Sequence, residues 1–153
     1  MAKGKVAVCT GSGRPGGLGE AILGRLGKEG YRLVVTDVDG SGSSHLAKPD
    51  EMETVAESLR SQNAEVLSHA CDVRSPESVE QLFDVVMAHY GRVDVLINNA
   101  GIGFVMKDTR EVSPDEWNLV IDVTLSGVFH CTQVAAAHME AAGRGGRIVN
   151  IAS

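Results

Sequence analysis

Aromatic residues are scarce in this 153-residue chain, where three Phe, two Tyr and one Trp make up 4% of the sequence. Positive charge is also short: 14 Lys and Arg stand against 20 Asp and Glu, a formal net charge of −6. A basic stripe interleaved with stacking rings is thereby excluded, and nucleic acid is not an expected partner. Cysteine is limited to Cys9, Cys71 and Cys131, an odd number, widely spaced, with no Cys-x-x-Cys pair. That excludes a disulfide framework and fits a reducing compartment. Cys9 lies in an apolar run and is expected in the core. The five histidines lack metal-ligand spacing. His130 and His138 could share one helix face, but no carboxylate or thiol joins them, so no metal is expected. No apolar run looks long enough to cross a bilayer, and the opening Met1-Ala2-Lys3-Gly4-Lys5 has no signal-peptide core. A membrane role is not expected, and the cytoplasm is the default location.

What the chain does have is glycine, 18 residues of it, within a composition of 43% apolar and 22% charged residues that suits one ordinary globular domain spanning residues 1–153. Glycine concentrates at Thr10–Gly19, read Thr-Gly-Ser-Gly-Arg-Pro-Gly-Gly-Leu-Gly. An apolar run, Val6-Ala7-Val8-Cys9, precedes it, and a helical pattern through Ala21, Ile22 and Leu26 follows. Strand, glycine turn and helix together form a seat for a dinucleotide pyrophosphate. The glycines permit a sharp turn and a close backbone approach, and the helix start presents amides to phosphate. Gly11, Gly13 and Gly16 fit the literal G-x-G-x-x-G spacing. The candidate cofactor-binding set here is Thr10, Gly11, Gly13, Arg14, Gly17, Leu18 and Gly19.

Arg32-Leu33-Val34-Val35-Thr36-Asp37 reads as a second strand ending in a carboxylate. Asp37 lies about 20 residues beyond the glycines, where an acid would meet the ribose hydroxyls of NAD. Its charge would repel a 2′-phosphate, so NAD is favoured over NADP. Arg14 pulls the other way. The competing reading of Asp37 is a solvated strand end.

Strands and helices alternate along the rest of the chain. Asp39–Ser44 is a Gly/Ser-rich loop, and Asp50–Arg60 carries Met52, Val55 and Leu59 at helical spacing. Glu65–Cys71 reads as a third strand. Ser75-Pro76 opens a helix with Val79, Leu82, Phe83, Val86 and Tyr90 on its buried face. Val93–Ile97 is a fourth, apolar strand interrupted by Asp94. Ser113-Pro114-Asp115-Glu116 is a capping box opening the longest helix, with Trp117, Val120, Ile121, Thr124, Val128 and Ala135 on one face. Core packing is the expectation for Trp117. Arg147–Ile151 is the fifth strand. Alternation of this kind predicts right-handed crossovers and an α/β, doubly wound parallel sheet, the Rossmann fold.

Taken together, these motifs resemble the short-chain dehydrogenase/reductase family along the whole chain. Thr10, Gly11, Gly17 and Gly19 are similar to its Thr-Gly-x-x-x-Gly-x-Gly turn, with two extra residues between Gly11 and Gly17. Asp72-Val73 resembles the pair that holds the adenine ring. Asn98-Asn99-Ala100-Gly101 matches the family's Asn-Asn-Ala-Gly motif, which puts Asn99, Ala100 and Gly101 beside the cofactor. Gly146–Ser153 resembles the strand that ends in the catalytic Ser, a role the resemblance assigns to Ser153. Thr124 stands where the family has an Asn that holds a water on a proton relay.

The family's acid/base group is a Tyr-x-x-x-Lys pair. This sequence has Tyr31 and Tyr90, followed at that spacing by Val35 and Asp94. The resemblance therefore implies five strands of the usual seven, an incomplete C-terminal end, an exposed apolar fifth strand and weak or no turnover by the chain alone. Two function classes stay open. One is an oxidoreductase moving hydride between NAD(H) and a small alcohol or carbonyl substrate. The other is a non-catalytic dinucleotide-binding module or split subunit. The family resemblance leaves room for a homo-oligomer. A nucleotide-fold methyltransferase would share the glycine turn and the acid, but not Asn98–Gly101 or the Ser153 strand.

Overall fold

The computed structural model describes residues 4–38, 49–103 and 107–152. Its elements run β1 (Val6–Thr10), α1 (Leu18–Lys28), β2 (Arg32–Thr36), α2 (Pro49–Ser61), β3 (Val66–Ser68), α3 (Pro76–Tyr90), β4 (Val95–Asn98), α4 (Pro114–Ile121), α5 (Gly127–Ala141) and β5 (Arg147–Asn150). A 3₁₀ turn covers Thr109–Glu111, and a π-helical segment, Asp122–Ser126, joins α4 to α5. All strand pairs are parallel, in the order β3-β2-β1-β4-β5. This is the expected doubly wound sheet.

Side-chain alternation along β1 builds two layers. Ala7 and Cys9 face one layer with Leu23 of α1, Val55 and Leu59 of α2, Leu33, Val35 and Ile97. Val6 and Val8 face the other with Val79, Leu82, Phe83 and Val86 of α3, Cys131, Ala135 and Met139 of α5, and Leu96. β1 is buried along its length, which is why it reads as an unbroken apolar run.

Local signals set the helix ends. Ser75 caps α3 by accepting the Ser78 amide at 3.1 Å, with Pro76 just behind it, and left-handed Gly91 closes the helix. Ser113 and Glu116 form the reciprocal capping box. Asp94, the polar break before β4, accepts the Val6 amide at 2.8 Å and Arg92 at 2.7 Å. An otherwise costly buried carboxylate thus ties the starts of β1 and β4 together, and those bonds hold its pKa below the usual range against burial.

Several expectations need correction. The third strand is Val66–Ser68 rather than Glu65–Cys71, although backbone bonds beside β2 continue beyond it, from the His69 amide to the Val35 carbonyl (3.1 Å) and from the Cys71 amide to the Asp37 carbonyl (2.8 Å). Trp117 is 61% exposed, as are Leu125 at 63% and Phe129 at 60%; of the expected face Ala135 is buried, and Gly127, Cys131 and Met139 meet the core beside it. The π segment shifts the helical phase between Trp117 and α5. By length and composition alone the helical span Pro114–Ala141 is long and apolar enough to cross a bilayer, which the expectation from uninterrupted apolar runs did not include. Its inner side packs into the second layer. β5 is largely exposed, with Val149 at 45% and Ile151 at 40% after it, as the sequence suggested. The Gly/Ser stretch Asp39–Ser44 lies outside the described residues.

Candidate cofactor site

In an open parallel sheet the crevice for ligands lies beyond the strand C-termini where the strand order reverses. Here that is the gap between β1 and β4. Thr10 ends β1, 1% exposed, and its hydroxyl oxygen accepts the amides of Asn99 (3.1 Å) and Ala100 (3.0 Å). In return the Asn99 side-chain amide donates to the carbonyls of Thr10 and Gly11, both at 2.9 Å. Gly11 has φ +63°, and a Cβ there would lie 2.6 Å from the Ala100 Cα. The Thr10-Gly11 and Asn99-Ala100 segments thus fit only as a pair.

The glycine loop is pinned toward β2 by Ser12, whose hydroxyl donates to the Cys9 carbonyl (2.7 Å) and accepts the Thr36 amide (3.1 Å). Gly13 donates its amide to Asp37 at 3.0 Å, and a Cβ on Gly13 would fall 2.7 Å from the Asp37 Cβ. The other Asp37 oxygen accepts the Val38 amide at 2.9 Å. Counting donors among the described residues, two acceptor sites of the carboxylate remain for a diol. Burial pushes the Asp37 pKa up, opposed by the two amides and by the charge of Arg14.

Gly17 is the N-cap of α1, with extended backbone (φ −79°, ψ 165°) and no side-chain cap. A Cβ on Gly17 would lie 2.9 Å from the Arg14 carbonyl oxygen. One on Gly19 would lie 2.7 Å from the Ser12 Cα and 3.1 Å from the Asn99 side-chain nitrogen, disturbing the Asn99 bridge. Leu18 between them is exposed. Gly16, by contrast, meets nothing within 4 Å and uses its glycine freedom only for φ +72°. The helix start without a side-chain cap and the cradle of close glycines fit a pyrophosphate, and the Asp37 end fits a ribose.

On the far side, Asp72 is held by Arg74, whose backbone amide and guanidinium reach its carboxylate at 3.0 and 2.6 Å and lower its pKa. The Val73 side chain is buried, because α5 comes so close that a Cβ on Gly127 would lie 2.6 Å from the Val73 Cγ2. His130 Nδ1 lies 3.0 Å from the Val73 carbonyl oxygen. What this turn offers a ligand is therefore the Asp72 carboxylate and backbone.

Thr124 lies in the π segment beside Gly101, where a Cβ would sit 3.9 Å from the Thr124 Cγ2. Its hydroxyl donates back to the Val120 carbonyl at 2.6 Å. Ser153 lies outside the described residues. Asn98 is 3% exposed; its side-chain amide donates to the Thr132 hydroxyl (3.1 Å) and to Asn150 (2.9 Å), joining β4, β5 and α5.

His130 and His138 have different partners, the Val73 carbonyl for one and Phe83 for the other. His138 stacks on Phe83 at 6.1 Å, and no metal-holding cluster exists among the described residues. Burial raises the thiols of Cys9 and Cys131 to about 12 and Cys71 to about 11, so none is a nucleophile near neutral pH. Sequence reasoning missed Ser12, Gly127 and His130. Their roles depend on residues distant in the chain, and no spacing announces them.

The family profile described as short chain dehydrogenase matches residues 5–153. Glucose 1-dehydrogenase 2 of Bacillus subtilis is 32% identical over 150 residues, 98% of this chain and 54% of that protein. D-beta-hydroxybutyrate dehydrogenase of Rhizobium meliloti is 36% identical over 97% of this chain and 54% of its own. A metagenomic short-chain oxidoreductase solved in complex with NADP superposes with a TM-score of 0.85 at 34% identity, over 99% of this chain and 63% of that one. NAD+-bound xylitol dehydrogenase gives 0.86 at 31% identity, over 100% of this chain and 54% of its own. The chain spans about half the length of the curated relatives it matches.

Proposed function

This chain belongs to the short-chain dehydrogenase family, and on that premise we propose that it is a dinucleotide-binding domain, residues 1–153, of an oxidoreductase acting on a small alcohol or carbonyl substrate. When bound, the nicotinamide cofactor would supply or accept the hydride. Gly11, Gly13, Arg14, Gly17, Leu18 and Gly19 would seat its pyrophosphate. Asp37 would accept the adenosine ribose hydroxyls, which favours NAD over NADP. Asp72 and Val73 would flank the adenine. Thr10, Asn99, Ala100 and Gly101 would keep the crevice floor open. The observation that carries this reading is the mutual lock of Thr10-Gly11 with Asn99-Ala100 beside an Asp37 that already grips the loop.

Ser153 is proposed to hydrogen-bond the substrate oxygen, and Thr124 to stand at the relay position. The sequence contains no Tyr-x-x-x-Lys, the pair that would position a phenol to give a proton to a carbonyl oxygen. The 153-residue chain by itself is thus proposed to bind cofactor with weak or no turnover. A non-catalytic module or split subunit is the second reading. It is favoured by the Thr124 hydroxyl, which is spent on its own helix. The exposed row of Trp117, Leu125 and Phe129 supports association of copies through the long helix. Three unpaired buried thiols suit a cytoplasmic setting.

The test is a fluorescence titration with NADH and NADPH. Binding of NADH in preference to NADPH is expected, with the preference lost in Asp37→Ala. No binding of either would overturn the reading.

A further inference from the structure

Glu20 has no part in the family resemblance or in the proposed contacts, yet it touches the loop at an exposed residue, Gly16. Gly17 is the N-cap of α1, which makes Leu18, Gly19 and Glu20 the first three helical residues. In a capping box the third of these reaches back to the N-cap amide, while an N-cap hydroxyl accepts the amide of the third. Here the N-cap is a glycine, so the second half is missing. The N-cap amide is also taken, since Gly17 donates to the Arg14 carbonyl at 3.1 Å. The Glu20 carboxylate instead reaches one residue further and accepts the Gly16 amide at 2.7 Å.

Gly16 is open on the side where a Cβ would stand. It has φ +72°, and an added Cβ would meet nothing within 4 Å. The Glu20 bond fastens that left-handed turn, and with the Gly17–Arg14 bond it closes the stretch that carries the two extra residues of the loop. The same carboxylate sets a negative charge at the helix end where a phosphate would be accepted.

We propose that Glu20 is a positioning residue for the glycine loop, holding Gly16 in its turn, and that its charge lowers affinity for the dinucleotide below what the loop alone would give. This rests on the proposed dinucleotide site. The hold and the charge are separable. Glu20→Gln keeps an acceptor for the Gly16 amide and removes the charge. Glu20→Ala removes both.

The experiment measures NADH dissociation constants and the exchange rate of the Gly16 amide by NMR in the wild type and both variants. Glu20→Gln should bind NADH about two- to tenfold more tightly than Glu20→Ala, the span of one hydrogen bond. It should bind about two- to fivefold more tightly than the wild type at low salt, a gap that closes as salt is added. The Gly16 amide should exchange faster in Glu20→Ala alone. Equal binding by the two variants, or Gly16 exchange unchanged in Glu20→Ala, would overturn the proposal. Failure of the wild type to bind NADH would instead remove the proposed function, while Gly16 exchange, read without cofactor, would still decide the hold.

Discussion

Asn99 and Thr10 hold each other: the Asn99 side chain donates to the Thr10 carbonyl at 2.9 Å, and the Thr10 hydroxyl accepts the Asn99 backbone amide at 3.1 Å. The bond pair crosses from β4 to β1 at the mouth of the crevice. Thr10→Val keeps the shape and leaves two amides, those of Asn99 and Ala100, without their acceptor. A loss of about 2 kcal/mol in urea unfolding is expected, with weakened NADH binding. Unchanged stability would mean the lock contributes nothing.

Asp37 carries a pH dependence of known sign. Burial raises its folded-state pKa. Its contribution is therefore fully present below the ordinary carboxylate value and is lost as pH rises through the raised one. The ionised group costs stability at neutral pH. In Asp37→Asn one of the Gly13 and Val38 amides lacks its acceptor at every pH, so the gap in melting temperature between wild type and variant should shift in the variant's favour as pH rises through that window. A pH-independent gap would contradict the assignment.

Gly127 lets α5 approach the Asp72-Val73 turn, since a Cβ would lie 2.6 Å from the Val73 Cγ2 and 2.9 Å from its Cβ. Gly127→Ala should destabilise by about 1–3 kcal/mol through overpacking. It should also weaken binding of NADH through the displaced turn. Thermal melts and titration of the one variant read both.

Arg60 guards one edge of the sheet. Glu65 and His69 bond to β2 through their backbones, so the Val66 carbonyl between them points outward. Arg60 Nε and Nη2 donate to it at 3.3 and 3.2 Å, while its guanidinium pairs with Glu53. Exposed pairs add little stability, but an uncapped edge invites strand pairing. Arg60→Ala should leave the melting temperature nearly unchanged and raise light scattering on concentration. Scattering equal to the wild type would remove that role.

Much of this molecule was legible before any coordinates. The buried run of β1, the glycine turn, Ser75-Pro76 and the Ser113–Glu116 box are local signals, settled within a few residues by backbone sterics, capping and period. They were enough for the fold class, for the order of elements and for placing Asp37 beside the loop. Trp117 shows where that stops. Its helical spacing suggested a core residue, yet α4 buries no residue on any face.

The sequence by itself determined which segments become strands and helices, because those choices rest on neighbours in the chain. Only the tertiary structure decided that Asn99 serves the backbone of Thr10 and Gly11, that Gly127 exists for Val73, and that His130 meets the Val73 carbonyl. Each of these joins residues far apart in sequence. Side-chain hydrogen bonds and close packing act over a few ångströms, and which residues come that close is set by how the layers stack on the sheet.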